Sequence, residues 1–173
     1  NIEAGDITYG DIIKVHPFGN EACLVEVTGQ QIKDALELGS AAYPGESGGF
    51  LQVSGLTYTI NADIPSSVVK NDKSEFVKVD GAYRVSDIMV GGQPLDVNKT
   101  YTLASHNYML KDAGDGYTMF DGCEVLGEDM MVDNQVLITY ITTTLGGVVG
   151  EQYANPYGDG RACRRIADIL AGE

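Results

Sequence analysis

Histidine, cysteine and basic side chains are scarce in this chain, and each shortage closes off some chemistry. Its 2 histidines, His16 and His106, show none of the paired spacing of a metal motif such as HExxH. Each stands alone, one before a proline and one at a strand end, where a hydrogen-bonded structural role is expected. The 3 cysteines, Cys23, Cys123 and Cys163, lie far apart without a CxxC pair. A zinc ribbon or disulfide-dense scaffold is not indicated, although one bridge plus one thiol stays open. Lys and Arg number 11 against 25 Asp and Glu, a formal charge of -14, which repels nucleic-acid backbones and anionic membranes. No P-loop lysine, GxGxxG fingerprint or basic cluster is present to hold a phosphate, and three of the four arginines (Arg84, Arg161, Arg164, Arg165) sit in the tail. Phosphoryl chemistry by these residues alone is therefore not expected. No apolar run reaches the roughly 18 residues of a spanning helix, and no internal repeat or low-complexity tract occurs.

What is present reads as one α+β domain with a mixed β-sheet and packed helices. At 173 residues with 43% hydrophobic content, the chain is long enough to close a core unaided. Thr8 caps a short helix running to about His16, after which Pro17 forces extended backbone. "ACLVEV" alternates like a strand, and Thr28 caps a helix whose Ile32, Ala35, Leu36 and Gly39 share a face. "LQVSGLTYTI" reads as an extended run interrupted by Gly55, and "AYRVSDIMV", "YTLAS" and "CEVLG" as further strands. The polar, charge-mixed stretch 63–80 reads as an exposed connection. A last helix begins at Asp133, turns Val136, Leu137, Tyr140, Ile141, Thr144 and Leu145 to one side and ends at Gly146. The tail "NPYGDGRACRRIADIL" reads as loop followed by a short apolar run.

Several motifs compete for function. "GESGG" matches the GxSxG serine elbow with Ser47 as nucleophile, but that elbow needs a strand entering and a helix leaving, the reverse of the order here. "DAGDG" has part of a calcium loop but lacks the bidentate Glu expected about six residues after the glycine. Two features carry more. "HPFGN" holds Phe18 on stiff backbone with one side uncrowded. "NYMLKDAGDGY" places Tyr108 near Asp115 on a turn whose flanking glycines, Gly114 and Gly116, are expected to supply positive φ. Two rings and one carboxylate suit a planar heterocycle bearing a diol: rings stack on the base, and the carboxylate accepts from sugar hydroxyls.

The segments "GDITYGDIIKVHPFGNEACLVEVTGQQIKDALE", "GGFLQVSGLTYTI" and "YTLASHNYMLKDAGDGYTMF", in this order, resemble the C-terminal domain of the bacterial 5'-nucleotidase, UDP-sugar hydrolase and 2',3'-cyclic phosphodiesterase family. The resemblance implies that residues 1–173 form the substrate-binding C-terminal domain. An N-terminal metallophosphoesterase domain with two divalent metal ions and an "NGGGIR" segment would precede it. The implied site residues are Phe18 and Tyr108 sandwiching the base, Asn20 reaching its edge, Gly48 lining the pocket by backbone, and Asp115 on the ribose hydroxyls. The sequence has "AGDG" where the family has "GGDG", with a spacer one residue longer than in some members, so Met109 is the alternative to Tyr108. The resemblance further implies no cofactor or catalytic group in this piece, a nucleoside or nucleotide as ligand, and an extracellular or wall-attached bacterial location. The parent activity is 5'-nucleotidase or 2',3'-cyclic nucleotide phosphodiesterase, and a non-catalytic binding module is the rival from another class.

Overall fold

A computed structural model describes residues 6–143. Helix α1 (Tyr9–Val15) begins at a reciprocal capping box: the Thr8 hydroxyl accepts from Asp11 N at 3.3 Å, and the Asp11 carboxylate accepts from Thr8 N at 3.1 Å. The Thr8 hydrogen bonds, side chain first, together with nearby Lys14 hold the Asp11 carboxyl down at about 2. Strand β1 (Ala22–Thr28) departs from the expected alternation, because Cys23, Leu24 and Val25 are buried in succession and both faces of the strand are covered.

Helix α2 (Gly29–Ser40) opens on a second capping box between Thr28 and Gln31. The expected stripe is buried, and Ile32 and Leu36 each contribute about 1.5–3 kcal/mol by leaving water. Gly29 is required at its start, since a Cβ there would strike the Asp96 carbonyl. At the far end Arg84, only 4% exposed, closes the helix. Its guanidinium donates to the carbonyls of Ser40 at 3.0 Å, Ala41 at 3.1 Å and Tyr43 at 2.8 Å, tying the helix end to the turn that follows it. Fully buried Glu37 accepts from the backbone N–H groups of Arg84 at 2.8 Å and Val85 at 3.0 Å.

Strand β2 (Leu56–Ile60) is shorter than the expected extended run. Gly55 takes φ +77 and its carbonyl accepts from Gly91 N, so pairing begins only after it. The stretch 63–80 is not a plain connection: β3 (Val68–Lys70) and β4 (Phe76–Val79) form an antiparallel hairpin with Val68 opposite Val79. Strands β5 (Val85–Val90) and β6 (Gln93–Pro94) follow, and β2, β5 and β6 make an antiparallel sheet in the order β2-β5-β6. After β7 (Thr100–His106) come the single turn α3 (Asn107–Leu110), two 3-10 turns (Gly114–Gly116 and Thr118–Phe120), β8 (Glu124–Gly127) and α4 (Asp133–Thr143). The remaining sheet has the order β7-β1-β8, so the class is α+β as expected. Within α4 the buried residue is Thr139 while Tyr140 is exposed, unlike the expected apolar face. The expected end of that helix at Gly146 and the tail reading lie outside the described residues.

The chain divides into two compact units. Among the described residues one comprises 6–24, Ala104–Asn107 and 127–143, and the other Val25–Leu103 and Tyr108–Leu126. In the first, α1 packs on α4, and the segment after Phe18 is held by backbone bonds and by the Asn107 side-chain oxygen, which accepts from Glu21 N. Asp133 N donates to Asn20 O at 2.8 Å, and Glu21 and Asn107 exchange two bonds at 2.8 and 2.9 Å. In the second, α2 packs on β4, β5 and the second 3-10 turn.

Candidate functional site

The glycine-rich turn organises a cavity of about 630 Å³ within the second unit, lined by Ser47, Gly48, Gly49, Tyr108, Asp115 and Tyr117 among others. Three of the five sequence-derived site residues, Gly48, Tyr108 and Asp115, therefore meet at one place. Tyr108 is 43% exposed whereas its neighbour Met109 is 8% exposed. The phenol, not the thioether, is the side chain open to solvent at the cavity. The Tyr108 hydroxyl donates to Asp115 Oδ1 across a long 3.4 Å.

The turn differs from its expected geometry in an informative way. The positive φ angles belong to Ala113 at 50, Asp115 at 54 and Gly116 at 85, not to Gly114. Asp tolerates this left-handed conformation better than most residues, because its short polar side chain bonds locally. Gly114 is needed for a different reason: a Cβ there would overlap the Tyr108 ring. Gly116 is tight as well, its would-be Cβ lying 2.6 Å from the Ser74 carbonyl oxygen.

The loop after α2 meets the same turn. A Cβ on Gly49 would lie 3.2 Å from Asp115 Cβ, and the Tyr117 hydroxyl donates to Gly49 O at 2.5 Å. Burial, then the Asp115 charge, pushes the Tyr117 hydroxyl well above the ordinary tyrosine range, so it remains a donor. Gly48 has nothing within 4 Å of a would-be Cβ, which leaves its backbone bordering open space. Ser47 sits between α2 and β2, with a helix entering and a strand leaving. Neither histidine belongs to this unit, so the unit holds no imidazole base to activate that hydroxyl.

In the first unit Phe18 is 84% exposed, a large apolar ring left in water. Asn20, two residues on, is half-buried and engaged through its carbonyl by Asp133 N. His16 Nδ1 lies 3.8 Å from Asp133 Oδ2, and both line a largely apolar cleft of about 440 Å³ with Ala104, Val136, Leu137 and Tyr140. Among the described residues no group of three or more His, Cys, Asp or Glu is placed to hold a metal ion. The family resemblance assigns its two divalent ions to an N-terminal domain, not to these residues.

Sequence reasoning missed Tyr117, Gly49 and the lysines Lys70 and Lys73, all of which line the larger cavity. Tyr117 follows the "GDG" turn directly and was within reach. The lysines were not, because only the unforeseen hairpin brings them there.

Comparison with known proteins identifies the family of the chain. The family model for the 5'-nucleotidase C-terminal domain matches residues 1–122. A 5'-nucleotidase of Vibrio cholerae is 33% identical over 143 residues, covering 82% of this chain and 22% of the relative. A trifunctional nucleotide phosphoesterase of Bacillus subtilis is 32% identical over 153 residues, covering 86% of this chain and 9% of the relative. The crystal structure of a 5'-nucleotidase precursor from Thermus thermophilus superposes with a TM-score of 0.61 at 29% identity, covering 74% of this chain and 23% of that one. The chain thus spans less than a quarter of the length of each of these proteins.

Proposed function

The chain belongs to the 5'-nucleotidase C-terminal domain family, and from that membership we propose that it is the nucleoside-holding part of an enzyme that hydrolyses the phosphate ester of nucleotides. In this reading the Tyr108 ring stacks on the base and the Asp115 carboxylate accepts hydrogen bonds from the ribose hydroxyls. The backbone at Gly48 and Gly49 leaves room for the sugar. Phe18 supplies a second ring and Asn20 a polar contact at the base edge, a part of the reading that rests on the exposure of Phe18 and on the resemblance of "PFGN" to the family motif. The observation that carries the proposal is a single cavity shared by Tyr108, Asp115 and the Gly48–Gly49 backbone, with the ring open to solvent and the carboxylate beside it.

Cleavage itself belongs to a second domain with two divalent metal ions, in an enzyme located outside the bacterial cytoplasm. The present residues bind and orient. Stacking tolerates different bases and contributes about 1–3 kcal/mol per ring, so affinity for a nucleoside alone is modest once the loss of ligand freedom is counted. Titration of the chain with adenosine, followed by tyrosine fluorescence and amide NMR, tests the reading. Saturable shifts at residues 108–117, lost in Tyr108→Ala, are the expected result. A flat titration up to millimolar adenosine overturns it.

A further inference from the structure

The hairpin of β3 and β4 is built as a wall of the same cavity. Its tip is organised by Asn71, whose Oδ1 accepts from Lys73 N and Glu75 N, each at 3.0 Å, and whose Nδ2 donates to Glu75 Oε2 at 2.7 Å. The tip bears on the Asp115 turn through Ser74, whose carbonyl leaves no room for a side chain at Gly116. Thr118 Oγ1 fixes β4 where it leaves the turn by donating to Phe76 O at 2.6 Å. So held, the hairpin turns Lys70, Lys73 and Ser74 toward the cavity that Asp115 lines.

Neither lysine ammonium enters an ion pair or a hydrogen bond among the described residues. In a chain of formal charge -14, two uncommitted cations on one wall of one cavity stand out. Asp72, between the two lysines in sequence, does not line the cavity, and Glu75, which does, is already held by Asn71. A compact ammonium on a flexible stem suits a phosphate as a point charge. The edge of a bound nucleoside closest to this wall is the one that Asp115 would take, that of the ribose hydroxyls.

We propose that Lys70 and Lys73 bind a second phosphate carried on a ribose hydroxyl, so that the domain prefers nucleotides phosphorylated at both ends of the sugar over simple 5'-monophosphates. This rests on the nucleoside reading above. The ammonium groups neutralise the added phosphate and offset its repulsion by Asp115, while the 5'-phosphate remains free to reach the catalytic metals.

The test compares adenosine 3',5'-bisphosphate with adenosine 5'-monophosphate binding to the full 173-residue chain by calorimetry. The wild type is expected to favour the bisphosphate by about tenfold, the yield of one charge-assisted contact, with the preference shrinking as salt rises. The exposed double substitution Lys70→Gln/Lys73→Gln should bring the ratio to about one and leave monophosphate affinity within about twofold, while Lys70→Arg/Lys73→Arg retains the preference because it retains the charge. Equal affinities in the wild type, or a preference that survives the glutamines, overturns the inference. If the monophosphate binds in a Tyr108-dependent way but the bisphosphate binds no tighter, only the lysine assignment falls. If neither nucleotide binds, the nucleoside reading falls with it.

Discussion

The ring of Tyr108 lies against the backbone of Gly114 so closely that even a methyl group at Gly114 has no space. The glycine therefore acts as the floor beneath the ring, and the Asp115 carboxylate stands at its hydroxyl end. Gly114→Ala is expected to displace the ring and to cost about 1–3 kcal/mol through overpacking. It should also weaken adenosine binding by at least as much as Tyr108→Ala does. Thermal melts and a nucleoside titration of the variant check both; unchanged affinity would show that the ring position is irrelevant to the ligand.

On the proposed reading, substitution of Phe18 should separate binding from folding. At 84% exposure, its removal should alter stability by no more than about 0.5 kcal/mol. Loss of one stacking ring should weaken nucleoside binding by about 1–3 kcal/mol. In the intact enzyme Phe18→Ala should raise KM far more than it lowers the melting temperature. A lowered melting temperature with unchanged KM would make the ring structural.

Glu37 should behave in the opposite way. It is fully buried, and its carboxylate takes the backbone N–H groups of both Arg84 and Val85. Glu37→Ala strands two buried donors at about 1–3 kcal/mol each, so the variant should be strongly destabilised in urea denaturation. Retained stability would mean that water reaches those groups.

Alkali provides a fourth check. Tyr83 is pushed up to about 12 from its ordinary 10.0 by burial first and then by its hydrogen bond to Asp34, and Tyr117 shifts in the same direction. A folded-state pKa raised in this way gives stability that is fully present below pH 10 and is lost as pH rises through 10 toward 12. Tyr83→Phe should flatten that part of the stability profile. Urea unfolding at successive pH values reads that profile, and a profile equally steep in the variant would refute the assignment.

The parts of the fold legible beforehand were those specified by local chemistry. Thr8 with Asp11 and Thr28 with Gln31 announce two helix starts through side chain to backbone exchange within three residues. The hairpin of β3 and β4 was hidden because its strands are short, carry Lys70 and Lys78, and leave much of both faces in water. Period-two hydrophobicity has nothing to report there, and the determining contacts are a turn built on the Asn71 side chain and a landing against Gly116. The alternation expected of β1 failed for the opposite reason, burial on both faces. At the candidate site the ring and the carboxylate could be read from the aromatic and glycine-rich motif. The role of Gly114 could not, because a missing Cβ explains itself only when the atom it would strike is known.

The three carbonyls gathered by Arg84 have an evolutionary corollary. Ser40, Ala41 and Tyr43 are clamped by one guanidinium, whereas Ser47, Gly48 and Gly49 border the cavity without sharing that clamp. Insertions after Tyr43 should therefore remodel ligand choice while the preceding helix keeps its end, and insertions between Ser40 and Tyr43 should abolish folding. A transposon-based insertion library scored for soluble expression would reveal that sharp boundary, and its absence would mean that the clamp is dispensable.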